Sequence, residues 1–313
     1  MGGSKIIFMG TPQFAVPSLE ALAEAGHRVI AVVTQPDKPQ GRGMSSLPSP
    51  VKKAALGRGI PVFEPLKLKD ESFIKELTGL GADFFVVVAY GKILPRPVLD
   101  IPPKGCVNLH ASLLPKYRGA APINRAIVNG EKETGVSTML MDAGMDTGPV
   151  LLEKRVAIRA DDTAEDLAKR LSIEGAALLV ETIELFSEGR IRPREQDGSN
   201  ATYAPILKKE DGAIDWRKTA VGIKDLMRGL YPWPGAYTRW KGYTIKVLSG
   251  RAVDCPADKP PGTVVGVSKE GIRVATGEGV FEITELQPEN KKRMPAGDFV
   301  QGYRIAEGDE FAG

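Results

Sequence analysis

The chain has 313 residues, a formal net charge of +3, and hydrophobic and charged fractions of 42% and 26%. That is the profile of an ordinary globular protein with room for two domains, not of a polycation, a membrane protein or a disordered tail. No apolar run reaches the roughly 18–20 residues that cross a bilayer. The opening MGGSKIIFMG lacks the basic-then-apolar order of a signal peptide, and Ile6 stands where myristoylation needs Ser or Thr. A cytoplasmic protein is expected, with no membrane partner. Cys106 and Cys255 lie far apart with no histidine near them. Neither a zinc cluster nor a disulfide framework can be built from such a pair, so no metal is expected.

In chain order, KIIFM (5–9) and VIAVVT (29–34) read as short strands around a helical segment, with Pro12 suited to its start and Gly26 to its stop. DFFVVVAY (83–90) is apolar throughout, as a strand buried on both faces should be. CVNLHA (106–111) is a shorter strand, and VSTMLMD (136–142) and PVLLEKRVAI (149–158) are two more. Residues 162–189 form a long amphipathic helix capped by Asp161 or Asp162 and stopped by Gly189. The alternation predicts an α/β, Rossmann-like domain over 1–189 with a mostly parallel sheet covered on both faces. Ligands in such folds sit at the carboxyl ends of the strands. Gly10-Thr-Pro-Gln-Phe14 after the first strand has no G-x-G-x-x-G, and Gly41-Arg-Gly43 is followed by Met44. Dinucleotide and P-loop nucleotide sites are therefore not expected.

Residues 190–207, with Arg190, Arg192, Arg194 and no clear period, read as a basic linker. Beyond it, over 208–313, short alternating runs at 243–250, 262–268, 271–277 and 279–286 are separated by Gly and Pro. They suggest a small OB-like β-barrel. Trp216, Trp233 and Trp240 lie at its entrance, either packing its core or offering a stacking surface to nucleic acid. A second uneven stretch, 35–58, carries Lys38, Arg42, Lys52, Lys53 and Arg58 against Asp37 alone. Its first part reads as a long loop after the second strand, on the carboxyl edge.

One of the two histidines, His110, sits just past the middle of the CVNLHA strand, near the sheet edge, with Asn108 on the same strand face. A lone histidine there is commonly a satisfied structural residue, the reading that His27 in Ala-Gly-His-Arg receives. His110 differs in its surroundings. The turn SLLP leads to Gly119 and Pro122, and the glycine-rich stretch 141–149, read as another carboxyl-edge loop, offers Asp142 and Asp146. Asn, His and Asp without a nucleophile elbow around Ser112 do not make a covalent triad. The set suits stabilising an oxyanion while the substrate supplies its own nucleophile, as in acyl transfer to an amine.

Asn108-x-His110 followed by SLLPKYRGAAP (112–122), with DAGMDTGP at 142–149, resembles the folate-dependent formyltransferase family. The resemblance implies that 10-formyltetrahydrofolate is the formyl donor, with no metal and no covalent intermediate. It places the catalytic positions on Asn108, His110 and Asp146, the last because x-Gly-Pro follows it. It places the pterin site along Ser112, Leu113, Leu114 and Pro115, along Tyr90, Ile93 and Leu94, and along the 140–146 loop with Asp142. GTPQFAVPSLEAL (10–22), QPDKPQGRG (35–43) with PSPVKKAA (48–55), YAPILKKEDGAIDW (203–216) and LQPENKKRMPAGDFVQG (286–302) resemble the members whose acceptor is methionyl initiator tRNA. That likeness implies tRNA contacts at Arg42 and Lys38 and on the carboxyl-terminal barrel, in a monomer. Phe14 could touch the methionyl group or belong to the core. The rivals are a sugar-nucleotide N-formyltransferase with the same donor, which would need neither basic loop nor barrel, and a protein that only holds initiator tRNA. An intact Asn-His-Asp set argues against the last.

Overall fold

The computed structural model describes residues 3–40, 45–256 and 258–312. The chain packs into two compact units that do not follow chain order. The first gathers Met1–Pro122, Glu133–Ala157 and Ala168–Pro205; the second gathers Ile123–Lys132, Ile158–Leu167 and Ile206–Gly313. Among the described residues no helix is long and apolar enough to cross a membrane.

Up to Ala204 the elements are β1 (Lys5–Gly10), α1 (Val16–Glu24), β2 (Arg28–Val33), β3 (Lys38–Gln40), β4 (Ser45–Leu47), α2 (Pro50–Gly57), β5 (Val62–Phe63), α3 (Glu71–Gly79), β6 (Phe84–Val88), α4 (Arg96–Leu99), β7 (Cys106–His110), β8 (Arg118–Gly119), α5 (Pro122–Val128), β9 (Glu133–Leu140), β10 (Val150–Ala157), α6 (Ala164–Ser187) and β11 (Tyr203–Ala204). Local chemistry sets their ends. A 3-10 turn at Gln13–Ala15 follows Pro12, and α1 is followed by Gly26 at φ 82°, in the left-handed region that glycine adopts freely. Ser49 caps α2 by accepting from the Lys52 amide, and Asp70 caps α3 by accepting from Ser72.

The sheet of the first unit has the order β10-β9-β7-β6-β1-β2-β5. From β7 to β5 all neighbours are parallel, and every residue of β6 is buried. Ile7, Met9, Val33, Phe85, Val87, Phe73 and Leu77 form much of the core on one side. β9 departs from the parallel expectation by running antiparallel to β7, and β10 antiparallel to β9. The 141–149 connection is too short for the dozen or more residues of a parallel crossover. This corrects one expectation. Leu140 pairs with Val107, so the 141–149 loop leaves beside the amino end of β7, not from the carboxyl edge.

The faces of β7 are divided by α6. A Cβ on Gly175 of α6 would lie 2.7 Å from Leu109 Cδ2, and Thr182 of α6 hydrogen-bonds Thr138, the partner of Leu109 in β9. Leu109 therefore points to the helix, while Asn108 and His110 point away from it. Residues read as a linker are in contact with this unit. Arg194 exchanges backbone hydrogen bonds with Val150, and β11 pairs in parallel with β8.

The second unit continues with α7 (Ala220–Gly229), β12 (Ala236–Trp240), β13 (Tyr243–Val253), β14 (Val264–Val267), β15 (Ile272–Ala275), β16 (Val280–Pro288), β17 (Met294–Pro295) and α8 (Ala296–Tyr303). The antiparallel order is β12-β13-β16-β15-β14, with β17 on β16. Residues near the carboxyl end lie between its two outer strands. Ala312 bridges Arg239 of β12, and Glu310 bridges Thr263 just ahead of β14. The edges are thus joined, which removes exposed strand edges as a barrel does. Trp216 and Trp240 are buried in the core, Trp216 stacked on Phe311 at 5.8 Å, whereas Trp233 is exposed. The three tryptophans therefore divide: two pack, and one is available to a partner.

Candidate active site

β7 ends in two buried polar side chains, Asn108 and His110, 9% and 6% exposed. His110 Nε2 lies 2.9 Å from the carbonyl oxygen of Tyr117. A carbonyl only accepts, so Nε2 carries a proton and donates it there. Nδ1 is then the ring atom that takes up or releases a proton. It faces Asp146 Oδ2 at 3.7 Å, longer than a hydrogen bond and within ion-pair distance. Among the described residues the Asn108 amide makes no hydrogen bond to another residue, so both of its polar ends are open to a bound group.

The 112–121 segment returns the chain to this strand end. Ser112 Oγ donates to Lys116 O at 2.6 Å, and Ser137 Oγ donates to Ser112 O at 2.7 Å while accepting from the Leu114 amide at 3.1 Å. Leu114 packs with Met139 and Val150. Tyr117, at φ 58°, gives its amide to Thr202 Oγ1 at 2.8 Å. Gly119 sits at φ 118°, and a Cβ there would fall 2.7 Å from Ala204 O, so β8 and β11 require glycine at this position.

Asp146 is brought in by the 141–149 loop, with its backbone at φ 54°. The Gly119 amide donates to its Oδ2 at 2.8 Å. Gln196 donates Nε2 to the carbonyls of Asp146 and Gly148 at 2.9 and 2.7 Å, and its Oε1 accepts from Arg118. Asp142 does not approach the histidine in this way. Its carboxylate is taken up by Gly144 N and Thr147 Oγ1 within its own loop. Asn108, His110 and Asp146 are therefore gathered from two elements, although the direction of β9 differs from expectation.

The other expected site residues are placed as follows. Ile93 is 86% exposed, while Tyr90, Leu94, Leu114 and Ser112 are buried. Leu113 packs over Gly135, where a Cβ would lie 2.5 Å from its Cδ2. The Tyr90 carbonyl accepts from Thr11 Oγ1 and Gln35 Nε2, tying three carboxyl-edge loops together. Burial pushes the Tyr90 phenol up to about 12, so near neutrality its hydroxyl is a donor without a partner among the described residues. Phe14 lies on the Gln13–Ala15 turn, partly exposed. Lys38 lies in β3, and Arg42 lies outside the described residues. Sequence reading missed Gln196, the Tyr117 carbonyl and the Gly119 amide. A backbone acceptor carries no signature in sequence, and Gln196 stands in a segment with no period.

Two family models match the chain: "Formyl transferase" over residues 4–183 and "Formyl transferase, C-terminal domain" over 206–304. The chain is 50% identical over 308 residues to methionyl-tRNA formyltransferase of Citrifermentans bemidjiense, covering 98% of this chain and 96% of that one. It is 51% identical over 310 residues to the protein of the same name in Thermodesulfovibrio yellowstonii, covering 99% of both. The fold is shared with the N-formyltransferase of Helicobacter canadensis in complex with folinic acid and dTDP-3-aminofucose, with a TM-score of 0.66 and 20% identity over 93% of this chain and all of that one. HypX from Aquifex aeolicus in complex with tetrahydrofolic acid gives a TM-score of 0.66 at 15% identity, covering 99% of this chain and 49% of that one. On the two family models and the full-length relatives, the chain belongs to the formyltransferase family, among its methionyl-tRNA formyltransferases.

Proposed function

We propose that the chain transfers the formyl group of 10-formyltetrahydrofolate to the α-amino group of methionyl initiator tRNA, with Asn108, His110 and Asp146 as its catalytic residues. The observation that carries the chemistry is the unspent donor capacity at the end of β7, beside a carboxylate held by Gly119. The α-amino group, with a reference pKa of about 7.7–8.0 before an ester lowers it, is partly neutral near pH 7. It attacks the formyl carbon. The oxygen that becomes negative lies against the Asn108 amide, a donor already in place, and against His110 Nδ1, which becomes a second donor when it takes up a proton. The bond from that carbon to the folate nitrogen then breaks. The attacking amine releases one proton and the folate nitrogen gains one, with Asp146 and His110 Nδ1 passing it directly or through water.

The donor's pterin is assigned to the groove between the 112–115 turn, the 90–94 segment and the 140–146 loop. Support comes from exposed Ile93 and from the buried Tyr90 donor. Arg42 and Lys38 are assigned to the acceptor end of the tRNA, and the 208–313 barrel to its backbone, with salt-dependent affinity. The domains are assigned as 1–189 for folate and catalysis, 190–207 as the basic connection and 208–313 for tRNA. One chain carries all three catalytic groups, so a monomer suffices, acting in the cytoplasm. The test is transfer of labelled formyl from 10-formyltetrahydrofolate to charged initiator tRNA, elongator methionyl-tRNA and a 4-amino sugar nucleotide. Selective labelling of the initiator is expected. Labelling of the sugar alone would overturn the acceptor and keep the chemistry.

A further inference from the structure

Gln196 is a neutral side chain whose amide is fully committed on both ends. Its Nε2 donates to Asp146 O at 2.9 Å and to Gly148 O at 2.7 Å, spending both of its hydrogens across one bend of the backbone. Its Oε1 receives the Arg118 fork, Nε at 3.2 Å and Nη2 at 2.8 Å. The orientation of the amide is fixed by chemistry. Two carbonyls can only accept, and a guanidinium can only donate, so a flipped amide would oppose all four contacts.

Arg118 is itself 6% exposed, and among the described residues no carboxylate lies within ion-pair distance of it. Arg118 therefore serves as a rigid, charge-assisted anchor for the amide oxygen. The residue held at the far end, Asp146, has a left-handed backbone at φ 54°, which an aspartate keeps only when its surroundings impose it. Its carboxylate Oδ2 is aligned between the Gly119 amide at 2.8 Å and His110 Nδ1 at 3.7 Å. Arg118 adjoins Gly119, so one short run of chain grips both the backbone of Asp146, through Gln196, and its carboxylate, through the Gly119 amide.

We infer that Gln196 is a positioning residue for the transfer reaction, setting the Asp146 carboxylate against His110 by holding the Asp146 and Gly148 carbonyls from the Arg118 anchor. The inference rests on the reading of Asp146 as catalytic. Misplacement of a catalytic group by about 1 Å can cost on the order of 10²-fold in rate.

Two substitutions separate positioning from simple support. Gln196→Glu keeps the size and gives Arg118 a carboxylate, but sets oxygen against the two carbonyls. A merely structural role predicts a lower melting temperature, because two carbonyls lose their donor, with full kcat in the folded protein below that temperature. Positioning predicts, in the same folded protein, a fall in kcat of about 10–100-fold with KM for tRNA unchanged, whatever the shift in melting temperature. Wild-type kcat in Gln196→Glu would overturn the inference. The second test is a cycle of Gln196→Ala, Asp146→Asn and the double variant, read as single-turnover formyl transfer. If Gln196 works through Asp146, Gln196→Ala costs about 10–100-fold in the wild type and nothing further in Asp146→Asn. An equal cost in both backgrounds would overturn the positioning role while leaving Asp146 catalytic. Full activity in Asp146→Asn would instead overturn the catalytic reading of Asp146, and the positioning role with it.

Discussion

In the second unit, buried charge is matched by charge. Glu282, with a side chain 1% exposed, receives Arg251 Nε at 2.6 Å and Arg273 Nε at 2.9 Å from the flanking strands. Arg228 meets Asp225 at 2.8 Å and donates to the Arg159 and Asp162 carbonyls at 3.3 and 3.0 Å. In the first unit, the buried Asn108 amide has no partner among the described residues, and the His110 ring uses only Nε2. A side-chain amide that is not spent on the protein is left to hydrogen-bond a bound group. The contrast separates charges that hold the fold from polar groups kept for a substrate.

The contrast can be broken from either side. The largest effect is expected for Arg228→Ala, which removes the cation facing Asp225 and three hydrogen bonds. It should destabilise the second unit by about 3–5 kcal/mol in denaturant unfolding. A loss below about 1 kcal/mol would mean that the pair is not structural. Asn108→Ala should do the reverse, leaving the unfolding midpoint close to wild type and lowering kcat about 10²–10³-fold, the effect of losing one oxyanion donor.

Acid titration probes Glu282. Burial pushes its carboxyl up, but hydrogen bonds and charge from Arg273 and Arg251 more than offset this and hold it below the usual range. Its contribution is therefore complete above the unfolded value of about 4.3 and is lost as pH falls through the lower folded value. Glu282→Gln should flatten the acid limb of stability below about pH 4.3, and an unchanged limb would contradict the assignment. The smallest effect is expected for Arg42→Ala. The KM for tRNA should rise severalfold and the slope of log affinity on log salt should fall by about 1, as for one phosphate contact. A weakened folate site would refute it.

Much of this was legible in sequence, for identifiable reasons. The buried β6 is continuous Phe and Val, and Asn108 and His110 share a face because strand side chains alternate. The direction of β9 was not legible, because an apolar run has the same pattern whichever way it runs. The shortness of the 141–149 connection shows only that β10 runs opposite to β9, not which of the two opposes β7. The role of 190–205 was hidden for a related reason. Its hydrogen bonds run to distant positions from an aperiodic segment, such as Gln196 to Asp146 and Tyr117 to Thr202. Nor could sequence show that segments 123–132 and 158–167 pack with the later residues. They do so through Asn124 to the Gly229 carbonyl, Arg125 to Asp211 and Asp161 to Lys224. Each of these joins residues more than sixty positions apart.

The most direct test of the central claim, that the chemistry resides at the end of β7, is His110→Ala assayed in parallel for single-turnover formyl transfer and for initiator tRNA binding. Transfer should fall by about 10²–10⁴-fold, the range of acid–base catalysis, with binding unchanged. Equal loss of both would show that His110 supports the tRNA surface and not the reaction.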